Sequence, residues 1–396
     1  MTRARRFAGA GTVLLALCTG RGERPGQAEE PGTTAETSAQ RNPERQPRHD
    51  VADSVGFLVA VSSMRQGRAV HTASGLRDGR ILVTGGLSGE QAVSTTEIFD
   101  LATGAFRPGP PLRSARAAHT ATVLRDGRVL LAGGLAGSAA LSSAELFDPS
   151  TGVVTSTGSM HVARSGHIAM LLADGRVLIA GGVGDGWSFL SSVEIFDPRA
   201  GRFSEAAPMP QARESHTGTL LTDGSVLIIG GHQGRRPRIV LYSSAIRYDP
   251  ERDTWTEVGR MSVPRHKHDA VRLADGRVLV VGGTDDRDSR GTYRTAEIFN
   301  PATRRFERTS DSWLAHWKHA GTLALLGDGR VLVTSGAERP ELFTPKTGTF
   351  AVVPGASRML GQFAASAALP NGDILVTGGY GEARGATAEA WRIHIP

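Results

Sequence analysis

Arg68-x-x-His71, Arg116-x-x-His119, Arg164-x-x-His167, Arg213-x-x-His216 and Arg265-x-x-His268 repeat one pattern, a guanidinium three residues before an imidazole. A sixth copy keeps His319 without the arginine, and the seventh offers Gln362 at the corresponding place. Histidines can ligate a metal, exchange protons near neutral pH, or hydrogen-bond inside a core. Ligation requires several donors within about 2 Å of one ion. One histidine per repeat forms a ring around a channel and does not converge, so no metal and no cofactor is expected. Recurrence in every unit favours structure: each imidazole bonds a neighbouring unit, and each arginine pairs with a carboxylate.

Residues that break the pattern are the better binding candidates. "HQGRRPRIVLYSS" carries Arg235, Arg236, Arg238 and Tyr242. "TDDRDSRGTYRT" carries Asp285, Asp286, Arg287, Asp288, Arg290 and Tyr293. One stretch is basic, the other mixed, and each holds a tyrosine. That chemistry suits a polar or acidic ligand, a peptide or a glycan. Arg235, Arg236, Arg238, Tyr242, Asp286, Arg290 and Tyr293 are therefore the expected binding residues, and no catalytic residue is assigned. "DDRDSRG" lacks the spacing and closing Glu of a calcium loop. His216, His232 and Tyr242 are the acid–base candidates should the site be catalytic.

These residues must be held by a repeat. "LRDGRILVTGG" (76–86) returns as "LRDGRVLLAGG", "LADGRVLIAGG", "LTDGSVLIIGG", "LADGRVLVVGG", "LGDGRVLVTSG" and "LPNGDILVTGG". The turn glycines are 79, 127, 175, 224, 276, 329 and 372, at intervals of 43 to 53 residues. Four strand-like runs fit in each unit, the signature of a propeller blade. Strand a is a short alternating run such as "HTATVL". An Asp-Gly or Asn-Gly turn suits a two-residue primed hairpin. Strand b ("RVLLAG") is apolar throughout, as burial between blades requires. A glycine pair and a variable loop follow. Strand c ("SAELFDP") ends in a proline turn. Strand d opens on a large residue: Phe106, Phe203, Trp255, Phe306 or Phe350, with Val153-Val154 in the second unit.

The glycine pair, the "E-[IL]-F" strand, the large residue on strand d and the links "SMHVAR", "PMPQAR" and "RMSVPR" resemble the kelch-repeat family over residues 54–396. The resemblance implies an all-β fold, a seven-bladed β-propeller of four-stranded blades. Unit six departs at Ser335, and unit seven at Trp391, which stands for the usual Phe. Unit seven supplies only three strands after residue 360. "SVGFLVAVSSM" (54–64) reads as the missing strand d, so an N-terminal strand is expected to close the ring against Trp391–Ile395 and remove an open edge. Strands alternate direction, so the b–c and d–a loops share one face, where the variable residues gather. In kelch proteins that bind peptides, polar residues near the histidine position contact the ligand, which is what the resemblance implies here.

Three segments are expected: an export signal at 1–20, a polar linker at 21–50 and the propeller at 51–396. "MTRARR" precedes the apolar "FAGAGTVLLAL", too short to span a bilayer. Cys18 follows "LLAL", which resembles the lipobox of bacterial lipoproteins with Leu17 where a small residue is preferred. A lipid anchor there would tether the chain to a membrane; ordinary cleavage after Gly20 is the alternative. The linker has almost no large apolar residue. Cys18 is the sole cysteine, so no intramolecular disulfide forms. Galactose oxidase shares the kelch architecture, but resembling its site would require a propeller cysteine. The net charge of +6 falls to +3 without Arg3, Arg5 and Arg6, so no nucleic-acid partner is expected. The expected protein is an exported, periplasmic, envelope-anchored or extracellular monomer that binds a protein, peptide or glycan without catalysis. A carbohydrate-active epimerase or lyase of kelch type is the alternative, since a fold alone does not license an activity.

Overall fold

A computed structural model describes residues 56–318, 321–355, 361–381 and 385–396. The signal, Cys18 and the linker lie outside the described residues. Seven four-stranded antiparallel sheets follow one another along the chain. Blade 1 comprises Thr72–Gly75, Ile81–Thr84, Thr96–Asp100 and Ala105–Pro108 as strands a to d. Blades 2 to 6 repeat it. Blade 7 takes Ala365–Ala368, Ile374–Thr377 and Ala390–His394 from the C-terminus and Phe57–Ala60 from the N-terminus.

The b strands show why their sequences lack alternation. Val129–Ala132 is buried at every position. Leu130 and Ala132 pack with Val177, Ile179 and Phe196 of blade 3, while Val129 and Leu131 pack with Leu82 and Ile98 of blade 1. Both faces of the strand meet a neighbouring blade, so both must be apolar. Seven such clusters, one per seam, make the core a closed circle of layers. The large strand-d residues meet strand c within each blade: Phe99–Phe106 and Phe196–Phe203 ring centroids lie 4.9 and 4.8 Å apart, and Tyr248–Trp255 4.8 Å.

Closure follows the register Phe57↔His394 to Ala60↔Trp391. The N–H groups of Val61 and Met64 extend it onto Ala390 O and Ala388 O at 3.0 and 2.8 Å. Two local expectations are corrected. Trp391 does not stand for the strand-c phenylalanine: Ile393 lies opposite Ile374 as Phe99 lies opposite Ile81, and Trp391 occupies the register of Glu97. The a–b turns are not two-residue primed hairpins. Leu76 N–H bonds Arg80 O, Gly79 N–H bonds Leu76 O, and only Gly79 is left-handed, at φ +86°. The loop is three residues long with the glycine in the bulge position. Asp78 Oδ1 accepts the Arg80 N–H at 3.1 Å and braces it.

Candidate functional site

Four of the seven d–a links are pinned by a buried arginine–glutamate pair. Arg68–Glu97, Arg116–Glu145, Arg164–Glu194 and Arg265–Glu297 lie 2.9, 2.6, 2.8 and 2.9 Å apart, with every arginine side chain fully buried. The other guanidinium nitrogen donates to the carbonyl of the first glycine of the pair, as Arg116 does to Gly133 at 2.6 Å. The second carboxylate oxygen accepts a backbone N–H of the link, Arg113 on Glu145 at 2.7 Å. Arg116→Met should therefore cost about 3–5 kcal/mol in urea unfolding, because Glu145 would remain buried without its cation. A loss below about 1 kcal/mol would mean the pair does not hold the blade.

Three blades vary the device. In blade 6, His316 replaces the arginine; Nε2 meets Glu341 Oε2 at 2.7 Å and Nδ1 meets Ser335 O at 2.8 Å. In blade 7, Gly361 and Trp391 replace both partners. In blade 4, Ile246 takes the glutamate register. Arg213 instead donates to Gly230 O and Gln211 Oε1, both at 2.9 Å, and to Ser244 Oγ at 3.2 Å, beneath the Tyr242 ring at 4.7 Å. Burial pushes its pKa down to about 10.

The histidines stitch each blade to the one before. Nε2 of His71, His119, His167 and His268 faces Thr377, Thr84, Thr120 and Thr217 Oγ1 at 2.9, 2.9, 3.0 and 3.3 Å. Each imidazole also lies on the preceding blade's first glycine: a Cβ on Gly181 would stand 2.8 Å from His216 Cε1. That contact, with φ +68° at Gly181, explains the glycine. Gln362 is not the seventh member. It bridges Tyr380 as Ala69 bridges Leu87, so the histidine register falls on Ala364. Blade 6 accordingly has Ser335 in place of its first glycine, because no imidazole of blade 7 presses on it. His319 lies outside the described residues. Burial, then Arg68, pushes His71 down to about 3; burial, then Arg213, does the same to His216. His119 and His167 are lowered by burial likewise.

The two residues inside each R-x-x-H stretch border the channel mouth. The second is left-handed in every blade: Val70, Ala118, Gly166, Ser215, Lys267, Lys318 and Phe363 have φ between 52° and 60°. Backbone N–H groups of Val70, Ala118, Gly166, Lys267, Lys318 and Phe363 pass bonds from blade to blade around the ring. The border divides in two. Around blades 7, 1 and 2, Val70, Leu87, Ala117, Leu135, Phe363 and Tyr380 form one apolar cluster. Around blades 4 and 5 it is ionisable. Ser215 Oγ donates to Glu214 Oε2 at 2.7 Å, and His232 Nδ1 stands 3.4 Å from the same oxygen. The His232 and His266 rings meet edge-on at 4.6 Å, and Lys267 Nζ lies 3.0 Å from Asp288 Oδ1. Burial lowers both histidines, so they sit as neutral imidazoles beside these charges.

The expected binding residues divide between rim and support. Arg236, Arg238, Asp286 and Arg290 are exposed on the rim. Arg235 is exposed and stacks over Trp187 of the blade 3 loop at 4.3 Å. Tyr242 and Tyr293 are half-buried lids, on Arg213 and on Arg265 at 5.2 Å. Asp288 is buried against Lys267, and Arg287 pairs with Asp285 at 2.6 Å. Glu214, His266, Lys267, Trp187 and Phe189 were not singled out by sequence. The signal that could have found Glu214, His266 and Lys267 is the variable middle of R-x-x-H, whereas Trp187 and Phe189 lie in the b–c loop of blade 3.

The kelch motif family matches residues 68–113, 165–210 and 215–262. No curated protein matches the chain. Among solved structures, a fungal alcohol oxidase of the AA5 family, in complex with copper, superposes with TM-score 0.69 at 17% identity, over 86% of this chain and 77% of its own. YjhT gives TM-score 0.58 at 12% identity, over 74% and 99%. Such likeness shows the fold alone. Among the described residues no three His, Cys, Asp or Glu side chains group to hold a metal ion.

Proposed function

The chain is a kelch-repeat β-propeller, and we propose that it is an exported saccharide-binding module that works through its channel-mouth face. One observation carries the reading. Around the ionisable half of the mouth, Arg235 stacks on Trp187 at 4.3 Å, Phe189 meets the His232 ring at 5.3 Å, and Tyr242 and Tyr293 stand in the loops that carry Arg236 and Asp286; Trp317, Phe363 and Tyr380 continue the aromatic set onto blades 6 and 7, and the b–c and d–a loops of blades 1 and 2 hold no Phe, Tyr or Trp. Three of the chain's four tyrosines are in that set. Flat rings beside fixed carboxylate, imidazole and guanidinium groups suit a ligand with a C–H face and a hydroxyl edge.

A glycan array read with the exported, processed chain tests this. Arg236→Ala and Asp286→Ala should each weaken the bound saccharide about tenfold, while stability stays within about 0.5 kcal/mol. An array without a hit, or variants that bind unchanged, would remove the proposal. A hit confined to acidic peptides would leave the face and replace the ligand class. The Glu214–His232 approach of 3.4 Å favours a second reading, acid–base chemistry on the bound ligand. Export rests on the charged and apolar segments before Cys18, and N-terminal sequencing of the mature chain reads it.

A further inference from the structure

The wall of loops around the mouth is broken at blade 6. Residues 334–340 join its b and c strands, whereas 230–243 and 282–295 do so in blades 4 and 5, and 133–143 in blade 2. Trp317 stands beside this gap and is partly exposed, as Glu214 and Gln362 are at the corresponding positions of blades 4 and 7, whereas Ala69, Ala117, Ser165 and His266 are buried. The Trp317 N–H donates to Gly336 O at 3.3 Å. Lys318 Nζ lies 4.1 Å from the indole centroid and 5.5 Å from that of Phe363. A cation over the ring fixes the indole's plane. The Lys318 N–H bonds Lys267 O, and the Phe363 N–H bonds Lys318 O, so the gap opens where the ionisable half of the mouth meets the apolar half.

We propose that this gap is where a saccharide chain leaves the mouth, with Trp317 stacking on the sugar next to the terminal one, so that the propeller recognises chain ends. The inference rests on the saccharide reading above. A sugar held at the mouth is surrounded by the backbone belt and by longer loops on the other blades. Among the described residues, blade 6 presents the lowest exit. The indole at its floor offers a flat apolar surface to the C–H face of a pyranose.

Isothermal titration with gluco-, manno- and galacto-oligosaccharides of one to four residues tests it, together with a cyclic gluco-oligosaccharide. Affinity should rise at least tenfold from one residue to two, and the cyclic probe should bind no better than the monosaccharide. Trp317→Ala should abolish the rise, whereas Trp317→Phe should keep most of it. Replacing 334–340 by the 133–143 sequence should abolish the rise without touching the indole. Arg236→Ala should do the opposite and weaken every length equally. A rise that survives both Trp317→Ala and the longer loop overturns the exit, and strong binding of the cyclic probe overturns end recognition. If no saccharide binds the wild-type chain, the saccharide reading falls first and takes this inference with it.

Discussion

A chain lacking residues 51–64 is expected to lose its cooperative fold, whereas one lacking 21–50 should melt like the full propeller. The short N-terminal strand sits at two seams at once. Leu58 packs with Leu332, Leu342 and Val353 of blade 6 and with Trp391 and Ile393 of blade 7. Met64 packs with Ile81, Val83 and Phe99 of blade 1 and with Leu369 and Leu375 of blade 7. Each side chain is 4% exposed; burial of that kind contributes about 1.5–3 kcal/mol per side chain. Leu58 N–H also bonds Pro354 O, and Met64 N–H bonds Ala388 O, at 3.0 and 2.8 Å. Removing the segment deletes these terms, bares the edge of Ala390–His394 and opens the ring. The losses together approach the whole stability of an ordinary domain, about 5–15 kcal/mol. Circular dichroism melting and sedimentation of the two deletions decide the matter. A 51–64 deletion that melts cooperatively at the full-length temperature would show that six blades suffice.

The architecture was legible because its instruction is local and repeated. An apolar tetrad after an Asp-Gly turn reads as a buried strand wherever it falls, and seven copies in register leave one assembly. The same repetition misled at blade 7. There the reading matched residue types, an aromatic for an aromatic and a polar residue for a histidine, where the pairing register decides. Trp391 and Gln362 were placed two residues from their true counterparts for that reason. The histidines were visible, but their purpose depends on a glycine of the preceding blade, about thirty-five residues earlier or, for His71, near the other end of the chain at Gly378, a contact no window of sequence contains. The ionisable half of the mouth was harder still. Glu214, His232, His266 and Lys267 come from two blades and three loops, and only ring closure brings them together. Tyr242 and Tyr293 looked like free anchors because sequence does not reveal the arginine beneath each ring.

The buried imidazoles make acid the specific weakness of this fold. His71 and His216 are held down near 3, and His119 and His167 are lowered as well, in each case first by burial and then by a neighbouring arginine. In the unfolded chain these groups take up protons near pH 6.5, while the folded chain refuses them. Stability is then complete above about pH 6.5 and falls as pH drops, by about 1.4 kcal/mol per pH unit for a group held near 3, as His71 and His216 are. Asp269 opposes the trend. Burial raises its carboxyl to about 6, so its contribution is full below the unfolded value near 4 and fades as pH rises through 6. It offsets part of the histidine loss over that interval, but several buried imidazoles oppose one carboxyl, so the net slope still runs toward lower stability in acid. The propeller should therefore lose stability steadily between about pH 6.5 and 5. Urea midpoints at pH 7.5, 6.5, 5.5 and 5.0 measure the slope directly. His119→Gln removes one proton from the balance. It should cost stability at pH 7.5, because Thr84 Oγ1 loses its partner at 2.9 Å, yet flatten the slope between about pH 6.5 and 5. A wild-type stability that stays level down to pH 5 would mean that the imidazoles accept protons inside the blades and that the seams are wetter than their burial implies.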